Sequence, residues 1–549
     1  MIFSATTIGL TPIPVTIRAV LTPDTRTRRT WIGSLHIADE NHQAPVIARR
    51  LAAILDRAAA GQPNLGCRGR VTVSLEPSSP AKTLCGLELP ILLSIMETQF
   101  DGRFQPQHEY AWFGNIGLDE SLTRVDNLLA STEACVKKTV IVPSANSAEA
   151  GLIRRPCLLA DDLAEIVRFV HSGTALRKPR VCLDSLEDKS TLDDGRRLGK
   201  FGSKPQSTEG QIMTPCAIDM MRILGNKIAK RAAEIAAAAG LSLLTIGSPG
   251  VGKTMLGRAF AGILPPMTDD ERYEVTRIQA SAGLLPPGQL ASDRPFRPVH
   301  HSVSMQALVG GGSAGKISPG EVSLAHRGVL FLDEAPEFTR NALDALRQPV
   351  EAGVVHISRV GVQTILPASF ALLAAANPCR CGYAGTYWCL TCRSWSLTRI
   401  CHCGAVAQDK CRCSPMEARR YQARLSGPLL DRVDMRVRML PLSSEDRSAS
   451  PGDSSSAVQA RVIAARDRMA SRLQPLGVRT NATIPPGQTM TSCQFATSGL
   501  DAYEQVLRDE PMSNRRADRL LRVAQTIADL DGGAVTADAV TEARSFVVG

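Results

Sequence analysis

The sequence of 549 residues contains no run of eighteen apolar residues, so no segment reads as a membrane span. Its first twenty residues, MIFSATTIGLTPIPVTIRAV, lack a basic start and are broken by Pro12 and Pro14, which argues against a secretory leader. A cytoplasmic setting is the expectation, and in a reducing compartment stable disulfides are rare. No internal repeat is visible. Apolar residues are not scarce: the hydrophobic share of 44% is ordinary for a soluble globular chain. The length allows about three domains with cores of their own. A net charge of +10 is compatible with a polyanionic partner.

Residues 1–171 read as a mixed α/β unit. RRTWIGSLHI and GRVTVSLEP have strand patterning, and VIARRLAAILDRAAAG between them has helical patterning. Residues 172–212 are polar, charged and rich in Gly and Ser, which predicts a linker. An Ala-rich helix, GNKIAKRAAEIAAAAG, and a strand, LSLLTIG, open a second unit over 213–442. SSEDRSASPGDSSSA predicts another linker over 443–457, and residues 458–549 read as helices.

Directly after LSLLTIG comes GSPGVGKT, which fits G-x-x-x-x-G-K-[ST] in full. Gly247, Ser248, Pro249, Gly250, Val251 and Gly252 would curl backbone N–H groups around phosphate oxygens. The helix starting at Lys253 would point its positive end at the same anion. Lys253 would reach the β- and γ-phosphates, and the Thr254 hydroxyl would face Mg²⁺. The second near-match, GGGSAGKI at 310–317, has Ile where a hydroxyl is required and no apolar strand before it. It is expected to be a flexible loop. VLFLDE is a buried-strand run ending in Asp333, suited to the Mg²⁺ shell, and Glu334, suited to activating water. FALLAAAN ends in Asn377, where a side chain faces the ligand crevice of an open parallel sheet. A helix cap for the carboxylates and a turn role for Asn377 are the plainer alternatives.

Eight of the fifteen cysteines fall within 379–413, in C-x-C and C-x-x-C pairs. Such spacing is more often a metal site than a set of redox thiols or an Fe–S cluster. Four tetrahedral thiolates per ion would accommodate two Zn²⁺, and the pairs allow three groupings.

GSPGVGKT, PFRPVHHSVSMQALVGGG, PGEVSLAHRGVLFLDEAPEF, LRQPVEAG, AAANPCRCG and RRYQARLSGPLLDRVD occur in this order. Together they resemble the magnesium-chelatase-like AAA+ ATPases of the ComM/YifB type. The resemblance implies a multidomain α/β chain. A Lon-protease-like N-terminal domain would precede an AAA+ P-loop parallel-sheet core with a zinc-binding insertion at 379–413, and a C-terminal helical lid would follow. It implies ATP, Mg²⁺ and Zn²⁺ as cofactors. It also implies a homo-oligomeric ring, a hexamer in the ComM branch, that acts on single-stranded or branched DNA by branch migration. A motor that remodels a protein partner and an ATP-dependent protease are the alternatives.

Residue by residue, Arg432 matches the arginine finger that reaches a neighbour's nucleotide. Arg515, in Ser513-Asn514-Arg515, matches a sensor that touches the γ-phosphate of its own chain. Arg519 and Arg522 follow on the same helix face, either functional or a solvated basic face. VVHISRVGVQTILP reads as a hairpin around Gly361. In relatives this hairpin is aimed at the ring's pore, which makes Arg359 the candidate for gripping DNA phosphates. Cys379, Cys381, Cys411 and Cys413 match the family's cysteine pairs, and Cys389, Cys392, Cys401 and Cys403 look like an insertion between them. The nested grouping follows the family most simply. In the N-terminal domain, Ser78, Ser79 and Lys82 stand where a Ser-Lys protease has its catalytic loop. Residues 85–90 contain no serine, so the domain is expected to be proteolytically silent.

Overall fold

The computed structural model describes residues 1–23, 34–39, 43–60, 69–78, 84–99, 109–179, 218–313, 316–359, 362–425, 427–448, 450 and 452–547. Most of the expected linker 172–212 lies outside these residues, as do Ser79, Lys82 and the Arg359 side chain.

Five short strands make the central sheet. In space they run Phe296–Val299, Val329–Leu332, Ala371–Ala376, Leu243–Gly247 and Met435–Met439, all parallel. Continuous apolar runs such as VLFL and ALLAAA are what a sheet covered on both faces requires. The period of two then sorts them. Leu243, Phe331, Leu373 and Ala375 join one core cluster, while Leu244, Leu330, Leu332 and Leu372 join another. The first face is covered by Lys227–Ala239, Lys253–Ile263 and the C-terminal helices Ser455–Leu473 and Asn514–Asp531.

Two expectations change here. GGGSAGKI is not an irregular loop: Gly310–Ser313 pairs antiparallel with Lys316–Pro319. Three glycines in a row suited either form, and the pairing gives their backbone groups partners. Within 443–457, Ser444–Ser448 is a helix and Ser455 already begins the next one. Val354–Arg359 and Val362–Pro367 form the expected hairpin, with Arg359 opposite Val362 at its tip.

The N-terminal residues form a four-stranded sheet, with Ile2–Ile8, Thr11–Pro23, Gly69–Glu76 and Ser34–Ala38 in that spatial order, and a three-stranded parallel sheet. Their contacts with the core include two hydrogen-bonded regions. The Thr364 hydroxyl contacts the Ile8 carbonyl and the Thr11 hydroxyl, each at 3.0 Å. Tyr273 packs into the N-terminal cluster beside Leu129, and Arg154 bonds Asp270 at 2.6 Å. No described helix is long and apolar enough to cross a membrane.

Candidate nucleotide site

The Leu243–Gly247 strand lies between two strands from elsewhere in the chain, so a crevice opens at its carboxyl end. The loop that leaves it uses Gly250 at φ 77° and Gly252 at φ 96°, conformations that suit glycine alone. Lys253 begins the next helix. Its ammonium donates to the carbonyls of Gly247 and Ser248 at 2.7 and 2.9 Å, and to Asn377 Oδ1 at 3.0 Å. The Thr254 hydroxyl donates to Asp333 Oδ2 at 3.0 Å. Three separate stretches of sequence thus meet within hydrogen-bond distance. Burial pushes the Lys253 ammonium below its ordinary range, and the carboxylates of Asp333 and Glu334 pull the other way.

Glu334 has φ 50° and ψ 47°, the left-handed region. For a residue with a Cβ this costs on the order of 1 kcal/mol. Such strain is commonly stored at functional sites. The half-exposed carboxylate is 3.6 Å from His301 Nδ1. His301 sits within a motif quoted above, but its role was not read from sequence, because nothing local links it to residue 334.

Arg515 is not beside its own phosphate loop. Met435 pairs with Leu243 and Met439 with Gly247, so the chain enters that strand at the end opposite the loop. Arg432 precedes the entry, and its guanidinium bonds Glu351 Oε2 at 2.7 Å. Arg515 pairs with the other oxygen of the same carboxylate. Partial burial alone would push the Glu351 carboxyl up, but the two guanidiniums outweigh it and hold it below the usual range. The physical reason for the displacement is the docking of the Asn514–Asp531 helix. Arg519 donates to the Val433 carbonyl at 2.6 Å, and Arg522 donates to the carbonyls of Ala482 and Ile484 at 3.1 and 2.9 Å. Those two arginines therefore brace the helix rather than form a solvated face.

The eight cysteines form two groups, Cys379, Cys381, Cys411 and Cys413, and Cys389, Cys392, Cys401 and Cys403, each with all sulfurs within 4.8 Å. This is the nested grouping. Close Sγ separations run from 3.3 Å for Cys379–Cys381 to 3.7 Å for Cys379–Cys411. A tetrahedron with bonds of about 2.3 Å has edges of about 3.8 Å, so both groups fit Zn²⁺. The Ala384 and Arg412 N–H groups point at Cys379 and Cys381 sulfurs, at 3.3 and 3.4 Å.

A family model for the magnesium chelatase ChlI subunit matches residues 219–398 and 395–447, and one for the C-terminal part of that subunit matches 452–546. YifB of Escherichia coli is 33% identical over 484 residues, 87% of this chain and 85% of its own. Competence protein ComM of Haemophilus influenzae is 34% identical over 475 residues, 84% and 82% of the two chains. The magnesium-chelatase 67 kDa subunit of Chlorobaculum parvum is 30% identical over 136 residues, 24% of this chain and 18% of its own.

Proposed function

Because the chain belongs to the magnesium-chelatase-like AAA+ family that includes ComM and YifB, we propose that it hydrolyses ATP between adjacent copies of itself to drive movement on DNA. The observation that carries this reading is the convergence of Lys253, Thr254, Asp333 and Asn377 in one crevice. Lys253 and the backbone of 247–252 bind and orient the phosphates. Thr254 and Asp333 would be oxygen ligands for Mg²⁺, which would supply charge neutralisation on the phosphates. Glu334 takes the proton of the attacking water, and Asn377 fixes where Lys253 points.

Arg432 and Arg515 complete the site from the neighbouring copy. Their shared position on Glu351, across the sheet from their own loop, favours action in trans for both. This replaces the same-chain role expected for Arg515. DNA as the substrate is supported by the similarity to a competence protein, by the net charge of +10 and by a hairpin whose tip carries Arg359. A ring of copies, six in the family's ComM branch, would gather those tips. The two cysteine groups would hold Zn²⁺ in a structural role.

The test is the steady-state ATPase rate without DNA and with single-stranded, duplex and branched DNA. Stimulation that falls steeply with salt is the expected result. A basal rate that no DNA raises, but a protein partner does, would transfer the reading to a protein-remodelling motor.

A further inference from the structure

The geometry points to a second task for the first cysteine group: the turn it folds, residues 379–385, is the back wall of the phosphate loop, so filling that group with metal sets nucleotide affinity. This rests on the nucleotide-site reading above.

The turn follows Asn377 directly. Pro378 intervenes, and its carbonyl accepts a bond from Gln422 Nε2 at 2.9 Å. Cys379 is fully buried. The Gly382 N–H then closes back on the Cys379 carbonyl at 3.0 Å. Gly382 has φ 86°, and a Cβ there would lie 2.3 Å from Cδ and 2.9 Å from Cγ of Pro249. Pro249 belongs to GSPGVGKT, and its ring cannot swing aside as a flexible side chain could. Three residues on, the Gly385 carbonyl accepts from Arg438 Nη1 at 3.3 Å. Arg438 pairs with Ile246, the residue before the loop begins. The turn therefore rests both on the loop and on the strand beside it.

What holds the turn in place is largely sulfur. Two of its anchors are the N–H contacts to Cys379 and Cys381, and the cross-link to residues thirty positions away runs through Cys411 and Cys413. A metal supplies that cross-link, because four thiolates close together repel one another without a cation between them. The second group lies further along, on the small sheet of Tyr387–Cys389, Ser394–Ser396 and Gln408–Asp409. The two groups thus differ in what they support.

The experiment measures zinc per chain by metal analysis and the Kd of a fluorescent ATP analogue by titration. Cys411→Ser should lose one zinc and weaken the analogue by about tenfold or more. Cys392→Ser should also lose one zinc, with a Kd shift no larger than about twofold. Gly382→Ala should keep both zinc ions and still weaken the analogue by about tenfold, because only the wall moves. If Cys411→Ser does not fold, brief chelation of the native chain followed by added Zn²⁺ should weaken and then restore binding. An unchanged Kd in Gly382→Ala, or in a chain that has lost the first group's zinc, overturns the inference. A native chain that binds no nucleotide at all overturns the site reading instead.

Discussion

Replacing Arg432 by Ala separates catalysis from stability. Among its contacts in the isolated chain, this guanidinium forms an ion pair with Glu351, with side chains 16% and 42% exposed. A partly exposed pair is worth about 0–1 kcal/mol, and Glu351 keeps Arg515 as a partner. The melting temperature should therefore move little. An arginine that neutralises charge in phosphoryl transfer contributes about 10³–10⁵ in rate. At about 1.4 kcal/mol per decade this is roughly 4–7 kcal/mol of barrier, several times the stability effect. Phosphate release should collapse, while the Kd of a fluorescent ATP analogue stays close to native. Mixing provides the stronger check. Lys253→Ala chains have an intact Arg432, and Arg432→Ala chains have an intact loop. In a random equimolar ring about a quarter of the interfaces combine the two intact halves, and they should recover activity. Turnover near native in Arg432→Ala, or silence in the mixture, would refute action in trans.

Lys253→Ala alone should abolish hydrolysis; retained turnover would remove Gly247–Thr254 from the site. Metal analysis of the purified chain should give about two zinc per chain, and one would mean that a cysteine group has another use. A pH prediction follows from Glu274. The His326 hydrogen bond, joined by Arg327, holds this carboxyl down to about 2 against the opposing effect of burial. Burial holds buried His326 below its ordinary range, with Glu274 pulling the other way. Both folded values lie below the unfolded ones, so this stabilisation is complete above roughly pH 6.5 and falls away on acidification. Melting temperatures from pH 5 to 2, where the Glu274 contribution is lost, should decline less steeply in Glu274→Gln than in the native chain; parallel curves would contradict the assignment.

The strand, loop and helix around Gly247–Thr254 and the acidic strand were legible because their signals are local: a short motif between a strand and a helix fixes its conformation. The same holds for the Val354–Pro367 hairpin, whose alternation needs no distant partner. The cysteine grouping was legible only as one of three choices, because spacing does not fix which pairs meet in space. Arg515 shows the opposite limit. Its motif gave the start of a helix correctly, with Ser513 as the cap. Where that helix docks depends on Arg519 and Arg522 finding carbonyls far away in sequence. Glu351 and His301 carried no local signal, since a lone carboxylate or imidazole gains meaning only from what faces it. Gly382 entered only as the last residue of AAANPCRCG, and its close approach to Pro249 is a fact of tertiary packing alone.

The seam at Thr364 has a mechanical corollary. Hydrogen bonds at one hydroxyl tie the turn of the first N-terminal hairpin to the middle of the Val354–Pro367 hairpin. An arm fastened at its middle cannot swing alone. In the proposed motor, either the amino-terminal sheets would be carried along as ballast at every stroke, or the fastening would part and reseal once per cycle, which would make the first ten residues of the chain a gauge of where the arm stands.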